Sequence, residues 1–203
     1  MLRYLQFIFL IILMMMGCVR SNGMQVLQEY HRTPLYIIPI YIDNNFCFND
    51  RQLIIGAIER WNLSLNGYLV LKVWKGEFDL QDKLDEAMLY KRSYVIMKVN
   101  SRYFSIIEQD AEIGGGTFTV GLANYIGGNV IYLVKNRLDD ISLPLVTMHE
   151  IGHLLGAYHE GNYLMGPKYS ENGYRCIDEG TMRQVSSWWK LPFDGMRYCL
   201  NKE

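Results

Sequence analysis

The sequence has no excess of charge of either sign. Its 20 lysines and arginines stand against 21 aspartates and glutamates, a formal net charge of −1. That balance excludes the basic footprint of a nucleic-acid partner. Internal repeats and low-complexity tracts are absent, so one uninterrupted domain is expected. The glycine run Gly114 to Gly116 lacks the Lys-Ser/Thr ending of a phosphate-binding loop and reads as a connection instead. No EF-hand spacing occurs, which leaves Asp139, Asp140 and backbone carbonyls as unsupported candidates for calcium. Cysteine and histidine are both scarce, at four each. The histidines are not spread evenly: His149, His153 and His159 crowd one short stretch, HEIGHLLGAYHEGNYLMGP, and only His31 lies elsewhere.

With 203 residues, half of them hydrophobic, the chain is long enough for one sizeable core. Its first 18 residues, MLRYLQFIFLIILMMMGC, carry one early basic residue and then an apolar run, the pattern of a signal peptide. The run is marginal for a bilayer about 30 Å thick. Residues 19–33 read as an N-terminal linker and 34–203 as the folded domain. An exported location follows, either secreted or in the cell envelope. Gly17-Cys18 resembles the lipobox of bacterial lipoproteins, so membrane attachment through a lipidated Cys18 stands as the alternative to ordinary cleavage. Export permits disulfides. Cys176 and Cys199 flank an expected C-terminal helix and can close that region, which would leave Cys47 as a buried thiol; the sequence leaves the pairing open.

Runs of alternating or apolar β-formers occur at Leu35 to Ile42, Tyr68 to Trp74, Ser93 to Val99, Thr117 to Ala123 and Asn129 to Val134, five expected strands. Between the first two, NDRQLIIGAIERWNLSL places Leu53, Ala57, Ile58 and Trp61 at helical spacing, with Asn49 as the expected cap and Gln52 in the capping-box position. A helix crossing the sheet as part of a βαβ unit follows. The later strands are expected to be joined by loops until the histidine segment. Asn62-Leu63-Ser64 forms a glycosylation sequon that chance explains. At the C-terminal end, CIDEGTMRQVSSWWKL reads as a last helix with Met182, Val185, Trp188 and Trp189 packed inward.

In ISLPLVTMHEIGHLLG, Ser142 is the expected cap and Pro144 falls in the first turn, where a helix accepts it. At 100° per residue, Pro144, Met148, Ile151 and Leu155 share a core side, and His149 and His153 lie nearly opposite. Two imidazoles one turn apart can share one metal ion, with zinc the natural occupant. Glu150 lies to the side, where its carboxylate can reach an attacking water without ligating the metal, the place of a general base. His159 comes six residues after His153, and on an unbroken helix it would point away. Gly156 is where the helix can end in a left-handed turn and bring His159 back.

HEIGHLLGAYH followed by Met165 resembles the metzincin zinc endopeptidases, whose long histidine motif precedes a methionine turn. Within that group, Met165-Gly166-Pro167 is similar to the matrixin turn, and GGGTFTVGLANYIGGNVIYL resembles the matrixin sequence leading through an edge strand into the last strand. The resemblance implies an α/β (α+β) metzincin-like fold: a twisted, mixed five-stranded sheet with a crossing helix, an active-site helix and a C-terminal helix. It also implies one catalytic zinc held by His149, His153 and His159, Met165 as an apolar floor beneath it, and a polypeptide substrate added as a further strand along the edge. The chain departs from matrixins in lacking a Pro-Arg-Cys-Gly stretch and the histidines of a second zinc. It departs from astacin-like enzymes in having Pro167 where they carry a tyrosine. The expected function is an exported zinc metalloendopeptidase. The alternative is a catalytically silent zinc-binding envelope protein using the same fold for recognition. Oligomeric state is not legible.

Overall fold

Segments rich in β-branched residues assemble into one five-stranded sheet in the computed structural model, which describes residues 33–90, 93–102, 119–161, 163–167 and 176–199. The strands are β1 (Tyr36–Ile42), β2 (Leu69–Val73), β3 (Tyr94–Val99), β4 (Gly121–Ala123) and β5 (Val130–Val134), in the spatial order β2-β1-β3-β5-β4. β1 pairs in parallel with β2 and β3, and β3 in parallel with β5, while β4 runs antiparallel to β5 at the end of the sheet. The architecture is α+β with a mixed sheet, as expected. Parallel strands are covered on both faces, and VIYLV in β5 shows it: Val130, Ile131, Leu133 and Val134 are all buried.

Helix α1 (Phe48–Leu65) connects β1 to β2. It buries Ile54, Ala57, Ile58, Trp61 and Leu65 on one face, and it ends where Asn66 turns left-handed at φ 47°. The expected capping box is not used. The chain enters through a tight turn in which Asp43 Oδ1 accepts from Asn45 N–H at 2.8 Å. That turn puts the helix start two residues early, with Cys47 rather than Asn49 in the cap position. The Asn62 side chain donates to Leu71 O at 2.9 Å and accepts from Leu71 N–H at 2.8 Å. A buried amide bound on both sides cannot carry a glycan, so the sequon is structural.

The expectation of loops between β2 and β3 is corrected by a second helix, α2 (Leu80–Tyr90). Asp79 caps it by accepting from the Gln81 and Asp82 N–H groups at 2.8 and 3.1 Å. Only Ala87 is fully buried on it, so its sequence carries a weak apolar stripe.

Helix α3 (Ser142–Leu154) carries the first two histidines. Its cap is Asp139 rather than Ser142: Asp139 Oδ1 accepts from Ser142 N–H and Oγ–H, both at 2.6 Å, and from Ile141 N–H at 3.0 Å. These bonds hold the Asp139 carboxyl below its ordinary range, the Ser142 hydroxyl contributing most. The separate core and histidine faces are also corrected. Leu143, Leu145, Val146, Met148, Ile151 and Leu154 are buried around the circumference, and so are Glu150 and His153. Trp61 Nε1 of α1 donates to Met148 O at 2.9 Å, and the buried Tyr94 hydroxyl of β3 donates to Leu154 O at 3.1 Å.

Helix α4 (Glu179–Trp189) is capped by Asp178, which accepts from Thr181 N–H at 2.9 Å and Oγ1–H at 2.7 Å. Met182 and Val185 face the core, but Trp188 is half exposed. A disulfide joins Cys176 to Cys199 around this helix. Cys47 is half-buried and disulfide-bonded, not the buried thiol expected. Among the described residues no helix is long and apolar enough to cross a membrane. Residues 1–18 with Cys18, the linker before Thr33, His31 and Gly114 to Gly116 lie outside the described residues.

Candidate metal centre and active site

One turn of α3 separates His149 from His153, and both rings are fixed by backbone carbonyls. His149 Nδ1 lies 2.7 Å from Leu164 O, and His153 Nδ1 lies 2.8 Å from Ala157 O. A carbonyl only accepts, so each Nδ1 carries the hydrogen and each Nε2 presents a lone pair. Burial and the neighbouring imidazoles push His149 down to about 4, and burial also pushes His153 down. Both rings are therefore neutral near pH 7, the state in which imidazole ligates metal.

His159 completes a triangle. The Nε2 atoms of His149 and His153 are 3.1 Å apart, those of His153 and His159 3.1 Å, and those of His159 and His149 3.3 Å. Two of these nitrogens have no hydrogen to share, so the rings face each other lone pair to lone pair, an arrangement that a cation between them relieves. Tetrahedral bonds of about 2.0–2.1 Å place ligand nitrogens about 3.3 Å apart. The three edges fit that ion, and three nitrogen donors leave a fourth position for water or substrate.

The turn that returns His159 is a Schellman motif. Ala157 N–H donates to Gly152 O at 2.8 Å and Gly156 N–H to His153 O at 3.0 Å, with Gly156 at φ +95°. Glycine is required there twice, because a Cβ would also lie 2.2 Å from Trp188 Cγ. Met165 is buried, with its sulfur packed against Gly152, where a Cβ would come within 2.5 Å of it. The Met165 segment is itself a turn, closed by Gly166 N–H to Tyr163 O at 2.8 Å and tied to the third histidine's loop by Glu160 N–H to Met165 O at 3.0 Å. Leu164 of this turn supplies the carbonyl that orients His149.

Glu150 is only 6% exposed. Its Oε2 accepts from Ala123 N–H of β4 at 2.7 Å. Burial pushes the carboxyl up to about 7, against the lowering effect of that hydrogen bond. In the metal-free chain that carboxyl exchanges its proton near neutrality. Sequence reasoning placed Glu150 but missed what holds it: a Cβ on Gly121 would lie 2.6 Å from Val146 Cγ1 and 2.9 Å from Glu150 Oε1. Only the absence of a side chain at Gly121 lets β4 approach α3 so closely. Tyr163 is part of the turn and about one-third exposed.

No family model matches this sequence, and no curated protein matches it. Solved structures similar to this chain include metalloproteinases. Metalloproteinase-II from Bacteroides fragilis is 19% identical with a TM-score of 0.48, over 80% of this chain and 55% of that one. Archaemetzincin from Methanopyrus kandleri is 14% identical with a TM-score of 0.44, over 77% of this chain and 96% of that one. High choriolytic enzyme 1, a hatching enzyme zinc-protease from the medaka fish Oryzias latipes, is 17% identical with a TM-score of 0.35, over 63% and 46%. The chain spans about half the length of the Bacteroides and medaka proteins.

Proposed function

We propose that this chain is an exported, zinc-dependent metalloendopeptidase of the metzincin kind. The observation that carries the reading is the convergence of three imidazole Nε2 atoms within 3.3 Å, one residue from the buried Glu150 carboxyl that Ala123 N–H holds at 2.7 Å. His149, His153 and His159 would hold the zinc, which when bound supplies Lewis acidity that acidifies water and polarises a peptide carbonyl. Glu150 keeps one oxygen on Ala123 N–H and uses its remaining lone pairs to draw a proton from the attacking water. The same carboxyl then delivers that proton to the departing amine, so one residue serves as base and acid.

β4 ends the sheet among the described residues, and Leu122 on it is partly exposed. An extended polypeptide would add beside it by main-chain hydrogen bonds, which tolerate many side chains. Because Ala123 of this strand also holds Glu150, the strand that would align the peptide also positions the base. The Cys176–Cys199 disulfide supports an oxidising compartment outside the cytosol.

The test of the enzymatic reading is to map the new N-termini that wild type generates in a mixture of unfolded proteins and that Glu150→Ala does not. A set of cleavages confined to wild type supports it. Identical sets, or none with zinc bound, refute it; the second outcome favours the silent zinc-binding protein.

A further inference from the structure

We propose that Gln184 is a positioning residue that holds His159 in the ligand triangle. This rests on the zinc reading above. His149 and His153 stand on a buried helix, each with a carbonyl behind its ring. His159 has neither support from a helix nor burial, since Tyr158, His159 and Glu160 are all exposed. Its position depends on what restrains the loop on either side.

Gln184 of α4 grips that loop at both flanks. Its Oε1 accepts from Tyr158 N–H at 2.8 Å, and its Nε2 donates to the Glu160 carboxylate. A primary amide is the group that can do both, accepting from a backbone N–H and donating to an anion at once. A second observation comes from the same helix face. Gly180 lies one turn before Gln184, and a Cβ there would lie 3.5 Å from Glu160 Oε2, so the Glu160 carboxylate rests against the first turn of α4. A helix N-terminus favours an anion, which adds a second reason for Glu160 to stay where Gln184 holds it. α4 is itself anchored by the Asp178 cap and the Cys176–Cys199 disulfide. The third ligand is thereby referenced to a rigid element, although it lies on an exposed loop.

Removing an outer partner of a ligand typically costs about 10- to 100-fold in metal affinity. The test measures zinc dissociation constants of the full chain by chelator competition. Gln184→Ala should weaken zinc binding by about that factor, and in a His159→Ala background it should have no further effect, because the ligand through which it acts is gone. Gln184→Glu should weaken binding as well, by setting a carboxylate against Glu160. Combining it with Glu160→Gln should restore binding, since the exchanged pair again sets one donor against one acceptor and still accepts from Tyr158 N–H. Wild-type affinity in Gln184→Ala, an equal loss with His159 absent, or no recovery in the exchanged pair each overturns the inference while leaving the zinc site intact. A wild-type chain that binds no zinc overturns both readings.

Discussion

Replacing Gly156 with alanine tests why the chain can turn at the end of α3. At φ +95° an L-residue is strained by about 1–2 kcal/mol. The new methyl would also lie 2.2 Å from Trp188 Cγ, 2.5 Å from Cδ2 and 2.7 Å from Cβ. Because that last atom is bonded to the backbone of α4, the indole cannot simply swing aside, and overpacking of this kind costs about 1–3 kcal/mol. The sum is about 2–5 kcal/mol, or a fall in Tm of about 4–20 °C for a chain of this size. Thermal unfolding of the metal-free chain reads that loss, and chelator competition reads the accompanying loss of zinc affinity as His159 leaves the triangle. Adding Trp188→Ala to Gly156→Ala should remove the contacts with Cγ and Cδ2 and leave the 2.7 Å approach to Cβ and the backbone strain, so the double variant recovers part of the loss and the two substitutions couple. A Gly156→Ala chain that melts with wild type and binds zinc as tightly would refute the reasoning.

Gly121→Ala should push β4 away from Glu150, lowering kcat by up to about 100-fold while zinc content stays at one per chain; unchanged kcat contradicts it. Cys176→Ala with Cys199→Ala opens a link between residues 23 apart. It should cost about 3 kcal/mol, seen as a drop in Tm of about 6–12 °C, and an unchanged melt would show that α4 needs no staple. Burial raises the Glu150 carboxyl from 4.5 to about 7 in the folded chain, so between these values the folded state keeps a proton that the unfolded state has released. The stability this confers is complete below pH 4.5 and is lost as pH rises through 7, about 3 kcal/mol in the metal-free chain. Subtracting the pH profile of Glu150→Gln isolates it, and profiles that run parallel would contradict the shift.

The site was legible where its logic is local. His149, Glu150 and His153 fall within one helical turn and a half, and the need for a break at Gly156 follows from helix geometry alone. Four strands were equally plain, because their apolar runs are short and bounded by turn residues, whereas β4 covers Gly121–Ala123 within the expected Thr117 to Ala123. What escaped was non-local or weakly patterned. α2 has a single fully buried residue, too little for periodicity to detect. Ala123, which holds Glu150, is 27 residues away in sequence, and Gln184 is 26 from Tyr158; no spacing rule joins them. The burial of α3 on all sides arises because β4, the Met165 turn and α1 close over it, and none of these is visible from the helix itself. Gly152 and Gly121 read as ordinary positions until Met165 and Glu150 are seen against them.

The central claim is that three imidazoles hold a zinc whose chemistry is driven by the Glu150 carboxylate. The most direct measurement is the rate of peptide-bond cleavage in an unfolded protein substrate by wild type and Glu150→Ala, each carrying one zinc per chain by elemental analysis. The account predicts cleavage by wild type and a loss of about 10²- to 10⁴-fold in Glu150→Ala at equal zinc content. Equal rates in the two zinc-loaded chains would contradict it.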